Sequence, residues 1–243
     1  MKPQPMETFR TTNAVKLLWT AAVLSLLAAA SVQAAGPNVN PGILPPNATA
    51  YGKSYGELSA RLWQLAIEHP VAGNPFNEGG CFELSGSVWA LAAPLGTSTH
   101  ACTIPVGRAL FVPSLTIECS SLEPPDSGFH GDTEAEQGAC ATFWADHIID
   151  LSVEIDDVPV ENLAAYRVVS PQFTFTAPDP NILLVPGGGP GTAVADGYYF
   201  LLAPLSKGTH TIRIRGALHL AVSEGDPFDF DLPSDVTFQI TAQ

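Results

Sequence analysis

Positive charge is scarce in this sequence. Ten Lys and Arg residues stand against 24 Asp and Glu, and three of the ten, Lys2, Arg10 and Lys16, sit at the N-terminus. From residue 35 onward seven cations face 23 acids, a net charge of −16. Such a surface repels phosphate backbones, and no Lys/Arg cluster offsets it, so nucleic acid and anionic membranes are poor partners. Cationic ligands, neutral polymers and metal ions remain open, alongside the plain reading that acidity keeps a chain soluble. Methionine is absent after Met6, which removes a readily oxidised side chain. There is no C-x-x-C pair, so the close ligand spacing of a structural zinc site is missing. There is no internal repeat, and one long apolar run alone, at residues 17–30.

That run, LLWTAAVLSLLAAA, follows the basic N-terminus and precedes the small residues around Ala34. The pattern is that of a secretory signal peptide cleaved after Ala34. The alternative, a retained anchor, needs a spanning helix of roughly 20 apolar residues, and the run has 14. Removing 34 of 243 residues leaves 209, enough for one large domain without a stabilising cofactor. No second run of this kind follows, so no membrane span is expected after cleavage. The expected organisation is a signal peptide at 1–34, an extended Pro/Asn/Gly-rich surface arm at 35–52, and one domain at 53–243.

Two helices stand out. Residues 54–69 open with Ser54 and Glu57, a capping box, carry Leu58, Leu62, Leu65 and Ala66 on one face, and stop at Pro70. A second helix begins at Thr133 with Glu136 as box partner, and Cys140, Phe143, Trp144, His147 and Ile148 mark its expected inner face. The rest reads as short strands: 81–84, 87–92, 100–104, 108–119, 152–155, 158–160, 166–169, 172–176, 198–202, 211–218 and 235–241. Pro113 is expected to break the fourth or place it at an edge, Asp156-Asp157 to turn a hairpin, and 178–192 to form a long loop with a flexible GGGPG tip. The fold class is therefore mainly β: an antiparallel β-sandwich or jelly-roll-like domain with an N-terminal helix and a second helix packed on it.

The chain has four cysteines, an even count that in an exported protein implies disulfides. Three pairings are possible. Cys81–Cys102 and Cys119–Cys140 are favoured, because each closes a local loop of about twenty residues, worth roughly 3 kcal/mol in chain entropy.

No catalytic constellation declares itself. Gly52, Ser54 and Gly56 match G-x-S-x-G, but the motif requires a preceding buried strand, and Ser54 already serves as a helix cap. Glu118 ends a strongly apolar strand, where a carboxyl gains a raised pKa and can act as an acid. Arg61 and Arg167 are the candidate cations to pair with it, and His130 or His147 the candidate base, though a structural ion pair and a packed core histidine are the blander readings. Asp226, Asp229 and Asp231 are weak calcium candidates, since closely spaced acids supply oxygen ligands but the EF-hand pattern is absent. No other cofactor is called for.

Three stretches carry a resemblance: SYGELSARLWQ at 54–64, CTIPVGRALFVP at 102–113, and GYYFLLAPLSKGTHTI at 197–212. Together they resemble a family of uncharacterised exported bacterial β-rich proteins, which has no assigned activity to carry over. The expected function is that of a non-catalytic binding or envelope-associated protein, periplasmic or extracellular, for a carbohydrate or another surface polymer. The alternative is a secreted hydrolase or lyase using Glu118 with a histidine. An enzyme would gather Glu118, Arg61 and a histidine around one pocket; a binding module would show an exposed aromatic strip.

Overall fold

Both expected helices start where side chains replace missing backbone partners. The Ser54 hydroxyl accepts from the Glu57 N–H while the Glu57 carboxylate accepts from the Ser54 N–H; Thr133 and Glu136 repeat the arrangement. The computed structural model describes Asn40 and residues 42–243. The expected signal peptide and most of the first half of the arm lie outside the described residues. In chain order the elements are α1 (Tyr55–Glu68), the single turn α2 (Pro75–Glu78), β1 (Gly80–Ser85), β2 (Val88–Ala92), β3 (Thr97–Ile104), β4 (Ala109–Ser120), α3 (Glu134–Asp146), β5 (Ile148–Ile155), β6 (Val158–Pro159), β7 (Arg167–Val169), β8 (Phe173–Ala177), β9 (Gly189–Leu202), β10 (Gly208–Leu220) and β11 (Phe230–Ala242).

The strands build a β-sandwich. One sheet runs β1-β2-β4-β9-β7, with β8 pairing β9 further along the same strand; the other runs β3-β11-β10-β5-β6. Most pairings are antiparallel, as expected, but each sheet contains one parallel pair, β2 with β4 and β3 with β11. The reason is connectivity. After β2 the chain crosses at 93–96 to the other sheet, forms β3 there, and returns as β4 beside β2. Inner-face residues of both sheets, among them Leu110, Val112, Phe200, Ile212, Val236 and Phe238, join one buried core. Helix α1 packs mainly on strands of the first sheet, laying Leu58 and Leu62 against it, both fully buried. Its Tyr55 hydroxyl donates to the Leu44 carbonyl at 2.6 Å and accepts from the Leu201 N–H at 3.0 Å.

Several local expectations need correction. The arm does not simply lie on the surface: Ile43 is 2% exposed and bridges to Leu202. Phe143 is exposed, not on the inner face of α3; Trp144 is buried there as expected, together with Gln137, Ala141 and Ala145. Pro113 does not break its strand, and β4 is an interior strand of its sheet, but Pro113 sits where one edge of that strand is locally unpaired, in line with the edge expectation. It is tolerated inside β4 because β2 stops pairing at Phe111 and a bulge follows between Pro113 and Thr116. The loop at 178–192 is shorter than expected, since β9 starts at Gly189. Gly191 is part of that strand, and a Cβ there would lie 2.6 Å from the Phe175 ring.

Both favoured disulfides are present. Cys81–Cys102 joins β1 to β3 and so one sheet to the other, with Cα atoms 5.6 Å apart; Cys119–Cys140 ties β4 to α3 at 6.0 Å. Each spans 21 residues. Replacing Cys119 and Cys140 by alanine is expected to remove about 3 kcal/mol of unfolding free energy through loop entropy. Urea titration of the double variant measures this, and a loss near zero would mean that packing alone holds α3.

Candidate functional site

The site follows from the early end of β2. Among the described residues no strand lies beside β4 from Val112 to Cys119, which leaves it an open edge there, and the bulge after Pro113 bends that edge. The bulge depends on Gly197 across the β9 pairing, where a Cβ would stand 2.5 Å from the Leu115 carbonyl oxygen. Along the open edge lies a cavity of about 580 Å³, within the range of small-molecule pockets. Its aromatic walls are Trp63 and Phe76, with ring centroids 5.0 Å apart, and Phe129 and Trp144, stacked at 4.6 Å. Leu218 and Leu232 close it from the second sheet. Leu95 and Leu184, both exposed, contribute from the 93–96 crossing and the loop before β9. The wall residue Trp63 is fixed by its indole N–H, which donates to the Thr116 hydroxyl at 3.1 Å.

Two carboxyls line this mostly apolar space, Glu118 and Glu123. Glu118 is 5% exposed, and its Oε2 is buried without a hydrogen-bond partner; the Ser114 hydroxyl is in the same condition. Burial drives the Glu118 pKa well above the carboxylate range, and the like charge of Glu123 adds to it. Glu123 is also pushed up, to about 7, chiefly by burial and in spite of hydrogen bonds from Ser120 and the nearby His130. The Ser120 hydroxyl donates to Glu123 Oε2 at 3.1 Å. Both acids are thus held partly or fully protonated near neutrality, able to donate as well as accept.

The other expected site residues are distributed elsewhere. His130 sits beside this pair without lining the cavity: its Nδ1 donates to the Glu123 carbonyl at 2.5 Å and its Nε2 meets Asp132 at 3.2 Å. His147 caps the end of α3, donating to the Phe143 carbonyl at 2.6 Å and pairing with Asp226 at 2.9 Å. Neither cation partners Glu118. Arg61 donates to Gln64, and Arg167 is held by Asp196 and Asp146. The group beside Glu118 is another acid, Glu123, in the Pro- and Ser-containing segment 120–131, where residue type and spacing give no local signal of a buried carboxyl. The calcium candidates are not brought together. Asp226 accepts from the Ala221 N–H, Asp229 from the Val222 N–H, and Asp231 pairs with His219. Among the described residues no group of three or more His, Cys, Asp or Glu is placed to hold a metal.

No protein-family model matches the chain, and no curated protein matches it. Among solved structures, the crystal structure of the cysteine protease inhibitor EhICP2 from Entamoeba histolytica is 10% identical and covers 60% of this chain and 97% of its own, with a TM-score of 0.18. The solution structure of Amebosin is 11% identical, covering 62% of this chain and 99% of its own at a TM-score of 0.16. Likeness this slight carries no argument about function.

Proposed function

We propose that this chain is a non-catalytic binding protein that takes a small, largely apolar ligand with a polar head into the cavity beside β4. The observation that carries the reading is the buried, unpartnered Oε2 of Glu118 in an apolar space of ligand size. A polar atom left so costs about 1–3 kcal/mol, which a ligand donor would recover. Paired thiols favour an oxidising compartment, so we take the protein to be exported.

A polymer-binding reading has one observation in its favour: the exposed rings of Phe143 and Phe228 flank Trp144 at 5.8 and 6.1 Å. The hydrolase or lyase reading is favoured by the raised pKa of Glu123, suited to acid–base work near neutrality. Against it, no histidine lines the cavity.

Titration with the neutral fluorophore N-phenyl-1-naphthylamine tests the cavity reading. The expected result is saturable one-to-one binding that Ala93→Phe, at a residue lining the cavity, abolishes while the protein stays folded. No saturable binding would overturn it. Retention by a soluble polysaccharide, lost in Phe143→Ser/Phe228→Ser and kept in Ala93→Phe, would transfer the function to the aromatic patch.

A further inference from the structure

Resting on that binding reading, we infer that the ligand's head is a protonated amine bearing N–H donors, carried on an apolar body, and that Glu118 and Glu123 receive it. Four observations converge. The cavity holds two carboxyls, and among the described residues no Lys or Arg lines it to balance them. The protein's own candidate cations are occupied elsewhere, Arg61 with Gln64 and Arg167 with Asp196 and Asp146. Glu118 Oε2 and Ser114 Oγ are buried and, among the described residues, unpartnered, so a head that brings hydrogen-bond donors finds an acceptor in each. The walls present six aromatic rings, among them Trp63, Phe76, Phe129 and Trp144, and aromatic faces attract cations.

The alternatives fail on charge or on donors. A fatty carboxylate would add a third acid to a pair that already resists ionising. An alcohol offers one donor and no charge, leaving the carboxyls to stay protonated. A quaternary ammonium supplies charge but no N–H for the orphaned oxygen. An ammonium does both: it lets a Glu proton leave to solvent and replaces it with a charge-assisted hydrogen bond, roughly twice as strong as a neutral one. The acidic surface, net −16 after residue 34, raises the local concentration of such cations and repels anions.

The experiment is calorimetric titration of the chain from residue 35 onward with four probes of one chain length: decylamine, decyltrimethylammonium, decanol and decanoate. Decylamine is expected to bind about tenfold tighter than decanol or the quaternary ammonium, and decanoate not at all. Glu118→Gln/Glu123→Gln is expected to bring decylamine down to the decanol level while decanol affinity holds. Equal affinity for decanol and decylamine overturns the cationic head and leaves the cavity reading standing. Equal affinity for the quaternary ammonium overturns the N–H requirement. Decylamine binding that survives in the double Gln variant assigns it to surface charge and overturns the inference. No binding of any probe overturns both proposals together.

Discussion

Replacing Asp196 by alanine is expected to cost about 3–5 kcal/mol of stability, the cost of breaking a buried ion pair from one side. Asp196 lies on β9 with 1% of its surface exposed. Its two oxygens accept from Arg167 Nε at 3.0 Å and Nη2 at 2.8 Å, a bidentate fork, and Oδ2 also accepts from the Thr142 hydroxyl at 3.1 Å. Arg167 reaches on to Asp146 at 2.5 Å and to the Thr142 carbonyl at 3.3 Å. One guanidinium from β7 therefore holds the second half of α3 against β9, and its hydrogen bonds to Asp196 push its pKa further upward. Without Asp196 the cation stays half-buried with the exposed Asp146 as its remaining charged partner. Urea denaturation measures the loss, and hydrogen exchange is expected to show α3 opening first. The double variant Arg167→Met/Asp196→Leu is expected to recover most of the stability, because apolar pairs commonly replace buried ions at little cost. If Asp196→Ala costs less than about 1 kcal/mol, surface screening governs this pair after all.

What was legible in the sequence was local. Ser54 with Glu57 and Thr133 with Glu136 lie three apart, and their bonds form within one turn, so both helix starts could be read from residue type and spacing. The hairpin turn at Asp156 and Asp157, with φ of 51° and 63°, is equally local. The disulfides were readable because each closes a loop of 21 residues. The site was not, because nothing about it is local. Its open edge exists because β2 ends at Ala92 and crosses to the other sheet, and no residue in β4 announces that its neighbour has left. Glu118 could be singled out by its apolar flanks, but the partner assigned to it was a cation, on the rule that buried charges are paired. The chain instead places Glu123 beside it and lets both carboxyls take up protons. The first half of β9 was missed for the opposite reason. Its glycines read as a loop tip, whereas Gly191 is there to make room for Phe175.

The same carboxyl pair predicts an unusual response to pH: stability is expected to fall as pH rises from about 4.5 to 7. Glu123 titrates near 4.5 in the unfolded chain and at about 7 when folded. Below 4.5 it is protonated in both states. Between the two values the unfolded chain loses its proton and the folded one keeps it, which draws the equilibrium toward unfolding. Above 7 both are ionised and the loss is complete. A shift of that size corresponds to about 3 kcal/mol as an upper figure. Glu118, raised in the same direction, extends the slope upward in pH. His147, raised by its bond to the Phe143 carbonyl, and His210, raised by Asp156, act with the same sign above pH 6.5, since each favours its charged form when folded. Asp156, Asp226 and Asp235 act oppositely but only below their unfolded range, so they do not cancel the trend above pH 4.5. Glu123→Gln separates these contributions. It is expected to flatten the curve between pH 4.5 and 7 and to exceed the parent by up to about 3 kcal/mol at pH 8, leaving the histidine part in place. Denaturant titrations from pH 5 to 8 decide the matter: a parent curve that stays level between pH 5 and 6.5 would mean that Glu123 ionises in the folded chain as readily as in water, and one that rises would mean that it ionises more readily.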